Sequence, residues 1–260
     1  MRPCRVLICL AWGSALALAQ NPDYDFYPEF RRWAQQLRAA DRSLRDAAIL
    51  PRYAEKLRGE GTAPPEIERR VNLIKTSRNG LEDDFWNRYF AHGQGVYNTA
   101  PNSFLTEVLE GLKPGSALDY GMGEGRNALY LAKAGWQVAG FDPAAEAVAL
   151  AQSRAKELGL KLDTATVRDS QYDFGKERFD LVLFSWVQPT AEFTPKVAGS
   201  LRTGGIVMVE CPADWFPRNG LLKVLDALQV VRYEIVNAKA DFFNRRDMDV
   251  IRLVARKPAP

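Results

Sequence analysis

Three glycines at alternate positions, Gly121, Gly123 and Gly125, follow an apolar run that ends in Asp119-Tyr120. Without a Cβ the backbone there turns sharply and lets a ligand approach closely. Arg126 and Asn127 open the helical pattern that follows. Free backbone N–H groups at such a start favour a carboxylate or a phosphate. Arg126 and Asn127 themselves read either as ligand contacts or as ordinary first-turn residues. Asp142 ends the next apolar run, about 20 residues beyond the glycines, the spacing at which an acid takes the hydroxyls of a ribose. Asp169 and Ser170 follow a third run. A dinucleotide fingerprint, G-x-G-x-x-G, requires a glycine where Arg126 stands, so that match fails. The pattern acid-x-Gly-x-Gly-x-Gly is met in full by Asp119, Gly121, Gly123 and Gly125.

The elements that must position these residues come in two textures. From about residue 22 to residue 80 the pattern is helical. Phe30, Trp33, Leu37, Ala40 and Leu44 share one face, and Arg38, Arg42 and Arg45 lie on another, read as a solvated face. Gly59-Glu60-Gly61 punctuates the region, and a second helix opens at Thr62 with Pro64 and Pro65 in its first turn, turning Ile67, Val71 and Ile74 inward. This arm, residues 22–84, shows no chemistry of its own. From residue 85 to residue 258, short apolar runs alternate with helical stretches: 116–120, 127–134, 137–141, 144–158, 164–167, 181–185, 206–210, 230–236 and 249–255. That alternation predicts an α/β fold, a mostly parallel sheet covered by helices on both faces. The last two runs, joined without a helix between them, predict an antiparallel edge pair.

On these residues the chain resembles the class I S-adenosylmethionine-dependent methyltransferases, from about Phe85 to the C-terminus. Phe179-Asp180-Leu181-Val182 and Leu201-Arg202-Thr203-Gly204-Gly205 look like that family's recurring phrases before the fourth and fifth strands. Pro101-Asn102-Ser103-Phe104-Leu105 and Gly125-Arg126-Asn127 look like its tellurite-resistance and thiol or heteroatom branch. The segment Phe184-Ser185-Trp186-Val187-Gln188 lacks the Asn-Pro-Pro-aromatic sequence of amine-directed nucleic-acid enzymes. The resemblance implies a Rossmann-like sheet of seven strands and S-adenosyl-L-methionine as cofactor, with a small-molecule methyl acceptor. By the same resemblance Asp119 and the glycine loop hold the methionine moiety, Asp142 the ribose, and Asp169 with Ser170 the adenine. The implied reaction is in-line displacement of the sulfonium methyl, in which the protein mainly positions donor and acceptor. A nicotinamide oxidoreductase and a non-catalytic binding module are the alternatives. No catalytic residue is nominated, and His92, the only histidine, has no assigned role. Trp186, Trp215, Phe216, Phe242 and Phe243 read as core, with an acceptor-pocket wall as the alternative.

Composition agrees with a globular chain: of 260 residues, 47% are hydrophobic and 26% charged. A net charge of +3 is too small for a dedicated nucleic-acid binder. Cys4, Cys9 and Cys211 show no C-x-x-C spacing, and with one histidine they predict no metal centre. Residues 1–19 carry the marks of a cleaved signal peptide. Arg2 and Arg5 precede an apolar stretch from Val6 to Leu18, and Ala17-Leu18-Ala19 stands before Gln20. The apolar stretch falls short of the roughly 20 residues a membrane span requires. Export without stable membrane insertion is therefore expected, cytoplasmic residence being the alternative. Cleavage would leave Cys211 as the single cysteine, a small buried filler.

Overall fold

The computed structural model describes residues 25–41, 44, 46–91, 98–242 and 247–259. The signal-peptide stretch, Cys4, Cys9, Arg42, Arg45, His92 and Phe243 lie outside them. Each apolar run of the second region forms the element expected of it. In chain order these are β1 (Ser116–Tyr120), α5 (Arg126–Lys133), β2 (Gln137–Asp142), α6 (Ala145–Glu157), β3 (Leu162–Thr166) and β4 (Phe179–Ser185). Then come α7 (Thr194–Ser200), β5 (Leu201–Pro212), α8 (Gly220–Val224), β6 (Gln229–Lys239) and β7 (Asp247–Arg256). Ahead of them stand α1 (Tyr27–Ala40), α2 (Ile49–Gly59), α3 (Pro64–Ala91) and α4 (Ser103–Val108).

The seven strands lie in the order β3-β2-β1-β4-β5-β7-β6. β1 pairs in parallel with β2 and β4, β2 with β3, and β4 with β5. β7 runs antiparallel between β5 and β6, so the pair expected at the edge is present with β6 outermost. Strand order reverses at β1, and a crevice opens there beyond the carboxyl ends of β1, β2 and β4.

Alternation along β4 and β5 builds two cores. Leu181, Leu183, Ile206 and Met208 face α4 and α5, packing with Phe104, Leu105 and Leu131. Val182, Phe184, Val207, Val209 and Cys211 face α7 and α8, packing with Val197 and Leu221. Burying each aliphatic side chain of this size contributes roughly 1.5–3 kcal/mol. Cys211 is fully buried, and burial pushes its thiol pKa upward, as suits an inert filler.

In the arm the expected first helix ends early. α1 stops at Ala40, where the N–H of Asp41 closes onto Leu37 O and the backbone leaves the helical region. Leu44 packs on the same cluster from outside the helix, Ala40 is exposed, and the following apolar residues form α2. Phe26, Tyr27, Phe30, Ile49, Tyr53, Leu57, Ile67, Ile74 and Leu81 make the arm's core. Val71 is only half-buried against it. α3 runs through residues 84 and 85 and bends at Ser77, whose φ of −127° and ψ of 19° leave the helical region. Beyond that bend it carries Trp86 and Phe90 onto Ala144 and Ala147 at the start of α6. Arg168, from the loop after β3, ties the same segment down by pairing with Asp83 at 2.5 Å and donating to Asn79 O. Among the described residues no helix is long and apolar enough to cross a membrane.

Candidate active site

A cavity of about 320 Å³ occupies the crevice at the strand reversal. Of the residues singled out from the sequence, Asp119, Gly121, Gly123, Arg126, Asn127, Asp142 and Asp169 line it. Asp119 and Asp142 are the last acids of adjacent buried strands. Asp119 is 2% exposed, and its Oδ2 has no hydrogen-bond partner. Burial pushes its pKa up to about 7, offset in part by the Arg126 charge and the Ala128 backbone N–H, and reinforced by the neighbouring Asp142. Asp142 Oδ2 accepts from the Gly123 N–H at 2.9 Å, and Oδ1 accepts from the Ala144 N–H at 2.8 Å. Burial outweighs those bonds and raises Asp142 to about 6. On the far side, Asp169 Oδ2 accepts from the Tyr120 hydroxyl at 2.8 Å.

Two expected contacts lie elsewhere. Ser170 is exposed and does not line the cavity: its N–H turns back to Asp169 Oδ1 at 2.8 Å, and the chain leaves the crevice there. Gly125 is also outside the lining, and its glycine serves packing. It caps α5 at a φ of +78°, and an added Cβ would stand 2.8 Å from Ala151 Cβ on α6. Gly125→Ala is expected to cost about 2–4 kcal/mol, combining the left-handed backbone with overpacking. Gly159, at φ +66° with nothing within 4 Å of an added Cβ, should lose only about 1–2 kcal/mol on the same change. Urea denaturation of both variants checks the difference, and equal losses would refute the packing role.

Arg126 and Asn127 line the cavity and also hold its walls. The Arg126 guanidinium grips Asp241 with two bonds, 3.0 Å to Oδ2 and 3.1 Å to Oδ1. Trp186 Nε1 donates to Asp241 Oδ1 at 2.6 Å, and Asn102 Nδ2 to Oδ2 at 3.1 Å. Asn102 also donates to Glu210 Oε1 at 2.5 Å, and Arg252 Nε to Glu210 Oε2 at 2.8 Å. Asn127 Oδ1 accepts from the Asn102 N–H at 2.8 Å. Burial raises the Glu210 pKa, opposed by Asn102 and Arg252. The chain thus joins α4, α5, β5, β7 and the turn after β6 in one buried polar network.

Of the aromatic residues, Trp186 and Phe242 stand in the cavity wall, whereas Trp215 and Phe216 pack against the α7–α8 core. Trp86 and Phe90 enter the wall from the C-terminal end of α3, just past the arm's expected boundary at residue 84.

Residues 117–205 match the family described as a methyltransferase domain. The matched segment, about a third of the chain, holds β1, the glycine loop and the strands through the start of β5. The chain's fold is shared with TehB from Haemophilus influenzae, at a TM-score of 0.52 and 19% identity over 62% of this chain and 63% of that one. A SAM-dependent methyltransferase from Methanosarcina mazei aligns at 0.53 and 16% identity, over 59% of this chain and 98% of its own. The sequence is also 31% identical over 134 residues to Hemagglutinin 1 of Eikenella corrodens, covering 48% of this chain and 43% of that protein. The chain therefore spans less than half the length of that curated relative and under two thirds of TehB. The family match stops at Gly205, so Glu210, Asp241, Phe242 and Arg252 around this cavity lie beyond it, as Trp86 and Phe90 lie before it.

Proposed function

We propose that this chain is an S-adenosylmethionine-dependent methyltransferase acting on a small-molecule acceptor, a thiol or other soft heteroatom. The observation that carries the reading is the buried Asp119 carboxylate, its Oδ2 unpartnered, in one cavity with Asp142 and the glycine loop. A carboxylate left so costs stability unless a ligand donor satisfies it. The residues fit the cofactor: Asp119 would hold the methionine ammonium, Asp142 the ribose hydroxyls and Asp169, oriented by Tyr120, the adenine amine. When bound, the cofactor supplies a methyl carbon already activated by positive sulfur. The protein's part is to bind, align and exclude water, and the aromatic wall serves the last. A thiol that enters uncharged would pass its proton to solvent as its sulfur takes the methyl, and no residue is assigned as general base. The phrases at residues 101–105 and 125–127 support the soft-heteroatom acceptor.

S-adenosylhomocysteine at a hundred times its dissociation constant is expected to stabilise the chain by about 2.7 kcal/mol, read as a thermal shift. Asp142→Ala should remove most of that shift, and NADH should give none. No shift at millimolar S-adenosylhomocysteine would sink the cofactor reading. Label transfer from methyl-labelled cofactor to a panel of thiols separates an enzyme from a binding module. Export is proposed with it, on Arg2, Arg5 and the apolar stretch ending in Ala17-Leu18-Ala19. An intact mass beginning at Gln20 is the expected result, and one beginning at Met1 refutes it.

A further inference from the structure

Beyond the residues assigned to the cofactor, the cavity is walled by Trp86, Phe90, Trp186, Val187 and Phe242. Phe242 lies between two indoles: its ring centroid is 6.4 Å from that of Trp86 and 6.5 Å from that of Trp186, the latter pair stacked at 22°. Trp186 sits at a φ of +61°, a left-handed conformation that costs a bulky side chain about 1–3 kcal/mol. Its indole N–H is pinned to Asp241 at 2.6 Å. Strain of that size persists only where surrounding structure enforces it, so the indole wall is a built surface.

Charge in the same cavity is one-sided. Two cationic side chains line it, Arg126 and Arg168, and each is already engaged, with Asp241 and Asp83 respectively. Against them stand Asp119, Glu124, Asp142 and Asp169. Glu124 is 6% exposed; Oε2 pairs with Arg154 at 3.0 Å and Oε1 has no partner. An anion entering this crevice meets carboxylates in a low-dielectric cleft and no cation left to neutralise it. An uncharged apolar body meets aromatic faces that gain from its burial.

We propose that this aromatic slot is the acceptor subsite and that it takes an uncharged organic molecule with an aromatic or apolar body, excluding oxyanions. The inference rests on the methyltransferase reading and narrows its acceptor class to organic thiols and their like.

The test uses the full chain, first titrated with S-adenosylhomocysteine and then, saturated with it, with three probes followed by calorimetry and tryptophan fluorescence. Methyl phenyl sulfide represents the uncharged methylated product, benzenesulfonate its anionic counterpart, and selenite the inorganic oxyanion. Methyl phenyl sulfide should bind at least about tenfold more tightly than benzenesulfonate, and selenite should not displace it. Phe242→Ala should weaken methyl phenyl sulfide about tenfold while S-adenosylhomocysteine affinity stays within about threefold. Glu124→Gln, which removes one carboxylate and keeps the shape, should improve benzenesulfonate binding and so reads the charge argument even if Phe242→Ala fails to fold. Absence of methyl phenyl sulfide binding, benzenesulfonate binding as tightly, displacement by selenite, or no improvement in Glu124→Gln overturns the proposal. Failure of the initial S-adenosylhomocysteine titration instead removes the cofactor reading, and is seen before any probe is added.

Discussion

Replacing Asp241 with alanine is expected to destabilise the chain by about 3 kcal/mol and to disorganise the cavity wall with it. The carboxylate accepts two bonds from Arg126, one from Trp186 Nε1 and one from Asn102. The Arg126 side chain is 8% exposed, so losing its partner strands a charge away from water. Breaking a buried pair from one side costs about 3–5 kcal/mol, and the 14% exposure of Asp241 places this one at the lower end. The indole N–H of Trp186 is orphaned in the same step, and the positive φ of that residue is then no longer held against its strain. Asp241→Asn keeps one acceptor and the shape but not the charge, and should cost about half as much. Equilibrium urea denaturation measures both. In a double-mutant cycle with Arg126→Met, the pair should be less destabilised than the two single losses together, by about 2 kcal/mol, because the stranded charge is gone. Strict additivity would show that the Arg126–Asp241 contact is not what holds the turn after β6 to the glycine loop.

That contact also marks where the sequence stops being informative. The loop from Asp119 to Gly125 is legible because acid and glycines lie within a few residues of each other and at the end of an apolar run. The strands are legible because burial on both faces leaves only apolar choices, as in Leu181–Phe184. Asp241, by contrast, lies 115 residues from Arg126 and 139 from Asn102, and no local spacing connects them. Glu210 did carry a signal, a lone acid inside the apolar run from Ile206 to Cys211, where an unpaired charge would be costly. Trp86 and Phe90 carried none: on a helix with a core of its own, their spacing says only that they share a face. It is the bend at Ser77 and the Arg168 clasp that bring them to the glycine loop. Leu44 shows the opposite error, keeping helical spacing after the helix has ended. Ser170 adjoins Asp169 in sequence, but in the loop after β3 the Asp169 carboxylate accepts from the Ser170 N–H and the serine side chain is left exposed.

The affinity of the chain for S-adenosylhomocysteine is expected to fall steeply in mild acid, by on the order of a thousandfold between pH 7.5 and pH 5. In the free protein burial holds Asp119 near 7 and Asp142 near 6. Both are raised above the ordinary carboxyl value, so their contribution to folding is fully present below about pH 4 and is lost as pH rises through 6 and 7. The free protein is thus penalised at neutral pH for keeping these two carboxylates ionised. A ligand that brings an ammonium to Asp119 and hydroxyls to Asp142 favours the ionised forms and lowers both values. Binding must then expel the protons the free protein holds: about one at pH 6.5, nearly two at pH 5 and little at pH 7.5. Calorimetry at pH 6.5 in buffers of different ionisation enthalpy should report that release directly. Asp119→Asn removes the higher-titrating group and should flatten the profile between pH 6 and 7.5 while leaving the fall below pH 6. Affinity that does not change from pH 5 to 7.5, or binding that takes up protons, would mean that neither carboxylate meets the ligand in its charged form.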